Sequence, residues 1–191
     1  MRYVCKKYMF RFAVVLTAIA LLFAPQTGWS QINSAPANVV LTATLLEALT
    51  VVALPSAVDF NLAPSGESIG STPVTLTTTW ILGSTRTTVN LHASFASSTV
   101  ALTDGLSHNI PSANVLGQVT TGTAPSFTAF TQTAPFGAAG AGLRLFTQTV
   151  NVSNLTSTRT DTLNLKIDLT GGPNLPAGLY VGTLNIQAQA L

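Results

Sequence analysis

Apolar and polar residues alternate at a period of two in nearly every segment of this 191-residue chain that lies between turn signals. That period marks a strand with one buried face. Between Thr87 and Ala96, Val89, Leu91, Ala93 and Phe95 share one face while Asn90, His92 and Ser94 share the other. Between Thr160 and Leu169, Leu163, Leu165 and Ile167 point inward and Asn164, Lys166 and Asp168 point to water. Val74, Leu76, Trp80 and Leu82 form a third apolar row opposed by Thr75, Thr77 and Thr79. Threonine suits such a face because its β-branch fits a pleated surface and its hydroxyl keeps that surface wet.

Turn chemistry separates these rows: Ala63-Pro64-Ser65-Gly66, Asp104-Gly105, Pro135-Phe136-Gly137 and Gly171-Gly172-Pro173-Asn174 are the clearest cases. The pattern predicts nine strands, at 38–54 with a break near Glu47, 57–62, 72–82, 87–96, 113–120, 126–132, 143–151, 160–169 and 178–190. After the first 30 residues no 3.6-residue period lasts three helical turns, so the expected fold is all-β, a single antiparallel sandwich. The stretch 97–142, rich in Pro and small residues, is expected to carry long loops and edge strands.

Only 7% of the residues are charged, against roughly 25% in an average soluble domain. Hydroxyls and amides must therefore solvate the surface. This speaks against a nucleic-acid binder, a coiled coil and a charged disordered tail.

The N-terminus reads as a signal peptide. Arg2, Lys6, Lys7 and Arg11 precede an apolar run from Phe12 to Ala24, closed by Pro25 and the small-residue site Gly28-Trp29-Ser30. The run is shorter than the roughly 20 residues that span a bilayer; a retained anchor is the competing reading. Cleavage after Ser30 divides the chain into a signal peptide, 1–30, and a sandwich domain, 31–191. The latter keeps Arg86, Arg144, Arg159 and Lys166 against Glu47, Asp59, Glu67, Asp104, Asp161 and Asp168, a net charge of 4 − 6 = −2. The only cysteine, Cys5, precedes the apolar run, so disulfides and thiolate chemistry are not expected in the exported protein. Secretion to the periplasm or cell surface follows from this leader.

No residue set points to catalysis. His92 lies on the polar face of a strand and is expected to be solvated; Asp104, Ser107 and His108 share one loop, too local for a triad assembled from separate elements. Asp104-Gly105 is expected to be a turn. Gly137 to Gly142 spells G-x-x-G-x-G without the strand-to-helix context of a dinucleotide site. The acids are dispersed, so no metal or cofactor is expected. Asn151-Val152-Ser153 and Asn154-Leu155-Thr156 match the glycosylation pattern, a match common by chance in so Thr-rich a chain. Phe127, Phe130 and Phe136 either form an aromatic platform or close one end of the core.

Two blocks carry a family resemblance. Ala43-Thr44-Leu45-Leu46-Glu47-Ala48-Leu49-Thr50-Val51 leads to Val58-Asp59-Phe60-Asn61-Leu62, and the second block is Leu175-Pro176-Ala177-Gly178-Leu179-Tyr180-Val181-Gly182-Thr183-Leu184. Together they resemble the secreted spore coat protein U-like and pilin-like domains of bacteria, which include subunits of archaic chaperone-usher pili. The resemblance implies an Ig-like sandwich of about 8–9 strands, a structural rather than enzymatic role, and as partners identical subunits or a periplasmic chaperone and usher. A secreted carbohydrate- or surface-binding module is the alternative.

The residues themselves add one further expectation. Val39, Leu41, Ala43 and Leu45 begin an apolar row that continues through Leu49, Val51 and Ala53, interrupted only by Glu47. Such a row exceeds what one sandwich edge needs. Either one bent strand serves both sheets of its own domain, or Val39, Leu41, Ala43 and Leu45 are donated to the open sheet of another subunit.

Overall fold

The computed structural model describes residues 32–191. The signal-peptide assignment and the cleavage site lie outside the described residues. The chain divides after Ala43. Residues 32–43 carry no regular structure and are exposed, and Thr44–Leu191 forms an all-β sandwich with no α-helix.

Inside the sandwich, alternation becomes two antiparallel sheets. The larger runs in the order β1 (Ala48–Leu54), β3 (Val74–Ile81), β10 (Thr156–Asp168), β7 (Val115–Gln118) and β8 (Thr128–Ala129), with β2 (Glu67–Ile69) pairing the far end of β10. The smaller has β4 (Thr88–Ser94) between β11 (Asn185–Ala190) and β9 (Gly142–Thr149). A two-residue ladder joins β5 (Leu102–Thr103) to β6 (Asn109–Ile110), and Ser112–Asn114 is a single 3₁₀ turn.

The core lies where the inward rows meet. Leu76, Val89, Leu91, Ala93, Leu143, Leu145, Leu163 and Ile167 are fully buried, and Trp80 joins them with its indole N–H donating to the Asn154 carbonyl at 2.9 Å. Fully burying one such aliphatic side chain contributes about 1.5–3 kcal/mol. Gly117 leaves room for this packing: a Cβ there would come 2.9 Å from a Leu143 methyl and 3.2 Å from Leu163 and Phe130, so core side chains would have to shift. Phe130 is also buried, edge-on to Phe95 at 5.2 Å between centroids, and so closes the core; Phe127 and Phe136 are half-buried.

Several expectations are corrected. The strand expected over 38–54 begins only at Ala48. Residues 57–62 form no strand; the Ser71 N–H donates to the Asp59 carbonyl and the Asp59 N–H to the Ser71 hydroxyl instead. The 126–132 strand shrinks to two residues and the 178–190 strand to its last six. Conversely, β10 starts at Thr156, four residues earlier than expected.

His92 is the sharpest correction. The expected solvated imidazole is 7% exposed, as is Asn90, while Ser94 is 2% exposed. A loop covers this outward face of the smaller sheet: Phe136 meets the His92 ring edge-on at 6.0 Å, and Gly137, at φ +78°, brings its backbone against Ser94. A period-two pattern reports which side of a strand is polar, and it is blind to a loop folding back over that side.

Candidate functional site: the open side of the sandwich

Both β1 and β11 are sheet edges, and they face each other across the sandwich. Each has one paired neighbour, β3 and β4 respectively. Their other edges therefore carry backbone donors and acceptors with no ladder partner among the described residues. The inward rows show the same incompleteness. On interior strands these positions are almost wholly buried, yet Leu49, Val51 and Ala53 on β1 and Ile186, Ala188 and Ala190 on β11 are only half-buried. Register makes the contrast local: Ile186, Ala188 and Ala190 sit opposite Ala93, Leu91 and Val89 on β4, which have no exposed surface. On this side of the core β1 and β11 pack against each other, and their aliphatic rows keep part of their surface exposed beside two unpaired strand edges.

Glu47 is exposed just where β1 begins. Its carboxylate accepts the Gly83 N–H at 2.6 Å and two donors of Arg86, the closer at 2.9 Å. The Arg86 hydrogen bond and then the Gly83 hydrogen bond hold its pKa down to about 2. Gly83 and Arg86 belong to the turn between β3 and β4, so this clasp fixes the chain where β1 begins. The break expected near Glu47 has a physical cause: an apolar row cannot stay inward through a carboxylate that finds its partners at the surface.

Of the four residues proposed as an interface, the structure places Val39, Leu41 and Leu45 at 79%, 89% and 81% exposure, with Ala43 exposed between them. None belongs to a strand. The intramolecular version, one bent strand shared by both sheets, is therefore not the arrangement observed.

The opposite side of the sandwich is finished differently. Over residues 156–163, β10 pairs β3 and has no ladder partner on its other edge among the described residues. There its inward row is Ser157, Arg159 and Asp161 rather than aliphatic. Asp161 is buried; it receives two hydrogen bonds from Arg159, at 2.8 and 2.9 Å, and one from Thr121. Arg159 also donates to Gln148 and to the Thr121 carbonyl, and its guanidinium lies 4.4 Å over the Phe146 ring. A cleft of about 370 Å³ opens over this network. Sequence reasoning missed it, although continuing the period of two back from Leu163 reaches Asp161, Arg159 and Ser157.

The remaining candidates stay apart. Asp104 and His108 do meet, Oδ2 to Nδ1 at 2.6 Å, inside one turn whose Leu106 and His108 N–H groups also bond Asp104. Although desolvation opposes it, the Leu106 and His108 hydrogen bonds lower the Asp104 pKa. Ser107 makes no hydrogen bond to either residue. His92 lies in the other sheet, where burial, reinforced by Arg144, lowers its pKa. Among the described residues no three His, Cys, Asp or Glu side chains cluster as metal ligands, and no helix is long and apolar enough to cross a membrane. Comparison with family models, with curated proteins and with solved structures finds no match.

Proposed function

We propose that this protein is a secreted, non-enzymatic structural subunit, pilin-like or coat-like, that assembles by donating its N-terminal segment to the open side of the next copy. The observation that carries the reading is that β1 and β11 are both unpaired edges whose inward aliphatic rows are only half-buried. The same chain supplies a matching object. Val39, Leu41, Ala43 and Leu45 repeat at a period of two and are exposed, on a segment about as long as β1 or β11.

Pairing the segment as a strand would satisfy one open edge through main-chain hydrogen bonds and lay its odd row over the half-exposed aliphatic rows. Seating Val39, Leu41 and Leu45 contributes roughly 1.5–3 kcal/mol each, against about 4–15 kcal/mol for the lost freedom of association, so the whole row and the backbone ladder are both needed. The interface is heterologous, the segment of one copy meeting a different surface of the next, and therefore builds a linear chain. The resemblance to spore coat protein U-like and pilin-like domains supports the same role, an Ig-like type for the sandwich, and a periplasmic chaperone and usher as assembly partners.

Deleting Gln31 to Leu45 tests the reading. The truncated chain should give an unchanged circular dichroism spectrum and melting temperature while eluting only as monomer. Continued polymerisation, or unfolding of the remainder, contradicts donation. The secreted carbohydrate-binding alternative draws support from the polar cleft at Arg159, and a soluble glycan that shifts the melting temperature of the wild type but not of Arg159→Ala would favour it.

A further inference from the structure

Over β1, β3 and the first half of β10 the outward face of the larger sheet is uncharged and ordered by strand register. Three ranks cross β1, β3 and β10 in turn: Thr50, Thr79 and Thr158; Val52, Thr77 and Thr160; Leu54, Thr75 and Thr162. Seven of these nine positions are threonine, the other two are aliphatic, and none can ionise. All point away from the core. Eight are exposed, Thr77 at the centre is partly so, and Val52 and Leu54 are 52% and 61% exposed.

Geometry makes this a lattice. Neighbouring strands lie about 4.7–4.9 Å apart, and alternate residues along one strand repeat at roughly 6.7 Å. Each threonine presents one methyl and one hydroxyl, and its β-branch restricts χ1, so little side-chain freedom remains to be lost when a periodic surface is met. Thr79 and Thr158 already share a hydrogen bond at 3.0 Å across the strands. A charged side chain would orient water around itself and break the pattern; the first on the outward face of β10, Lys166, lies beyond the third rank.

We propose that this threonine face binds ice. The surface that fits it must be neutral, hydroxylated and periodic in two dimensions, and the water lattice of a growing ice face has oxygen repeats of the same order as the two spacings. The methyls hold water in cages while the hydroxyls tie those cages to the lattice. Sheet twist of about 20–25° per strand pair limits the matched patch to these three strands, so the expected activity is modest in one copy. It does not depend on the assembly reading, because every residue of the patch belongs to one sandwich.

The test uses the exported chain at concentrations where it is monomeric. Wild-type protein is expected to shape ice crystals into facets, produce a measurable gap between melting and freezing points, and concentrate on an ice surface when fluorescently labelled. Thr77→Lys and Thr160→Lys, at the centre of the grid, should abolish all three with an unchanged circular dichroism spectrum, and Thr85→Lys, off the face in the β3–β4 turn, should abolish none. Round unshaped crystals with the wild type overturn the proposal, as does activity surviving in both central variants. Sedimentation supplies the remaining outcome: self-association removed by Thr77→Lys, without ice shaping by the wild type, assigns the face to a second copy and also overturns it.

Discussion

Along β1 and β11 the inward row is aliphatic and half-covered, whereas along the first half of β10 the inward row is Ser157, Arg159 and Asp161 and is closed by its own hydrogen bonds. Both places expose the side of a sandwich at a strand edge. The polar one satisfies itself: Arg159 covers Phe146 with its guanidinium and neutralises Asp161, leaving no apolar surface that a strand must cover. The aliphatic one has no such cover. An unpaired edge is therefore not in itself a docking site; what lies beneath the edge decides whether another strand gains by adding there.

The largest expected effect breaks the polar side. Arg159→Ala leaves the buried Asp161 carboxylate with Thr121 as its remaining side-chain partner and should cost about 3–5 kcal/mol in urea unfolding. Replacing both partners, as Arg159→Leu with Asp161→Leu, should recover most of that loss. The double variant would also give the second side the aliphatic character of the first, and calorimetric titration of a peptide of residues 31–45 into the double variant lacking that segment should then give two sites per chain instead of one. If only one peptide is taken up, polarity is not what distinguishes the two sides.

Next comes the aliphatic side. Ala188→Asp places a charge in a row that is only half-covered, so monomer stability should fall by about 1 kcal/mol, while assembly should be lost. Leu91→Ala, directly opposite on β4 but fully buried, should instead cost about 2–5 kcal/mol and leave the assembly surface in place.

How much of this was legible in the sequence differs between the two sides for physical reasons. The strands and core rows at 74–82, 87–96 and 160–169 follow from a period of two, because one face of each strand packs on the other sheet. The apolar row from Val39 to Ala53 was legible too, and so was its interruption at Glu47. Its partners were not: Gly83 and Arg86 reach Glu47 through the fold, 36 and 39 residues away. Arg159 and Asp161 escaped because a charged residue is expected to face water, and nothing local announces that Thr121 and Gln148 will converge on them. His92 escaped for the reciprocal reason, its polar face being covered by a loop far along the chain. Thr78, on the inward row of β3, is likewise buried, with no hydrogen-bond partner for its hydroxyl.

His92 also gives a smaller, pH-dependent effect. Its folded pKa is lowered by burial, so the unfolded chain takes up the proton first as pH falls. Stability should hold above the unfolded value of about 6.5 and decline below it until the folded group titrates too. Thermal melts of His92→Gln should lack that step. If the step persists in the variant, another group is responsible.

The smallest effect belongs to the Glu47 clasp. Its carboxylate, lowered to about 2, keeps its charge well below the usual carboxylate range, so the clasp should persist above the unfolded pKa near 4.3 and be lost only as pH falls through about 2. At neutral pH, Glu47→Gln should leave the melting temperature almost unchanged because the pair is solvent-screened. Hydrogen exchange should nevertheless quicken at Ala48 and Leu49, where the clasp fixes the start of β1. Unchanged exchange there would show that the ladder to β3 alone holds the strand.

The central claim, that the β1–β11 side of one copy takes the N-terminal row of another, is tested most directly by mixing two disabled variants. Leu41→Asp spoils the donated row and keeps the accepting side; Ala188→Asp spoils the accepting side and keeps the row. Each alone should be monomeric by light scattering. Mixed, they should form a one-to-one dimer and nothing larger, because only one productive contact exists between them. A mixture that stays monomeric, or either variant polymerising alone, would contradict the account.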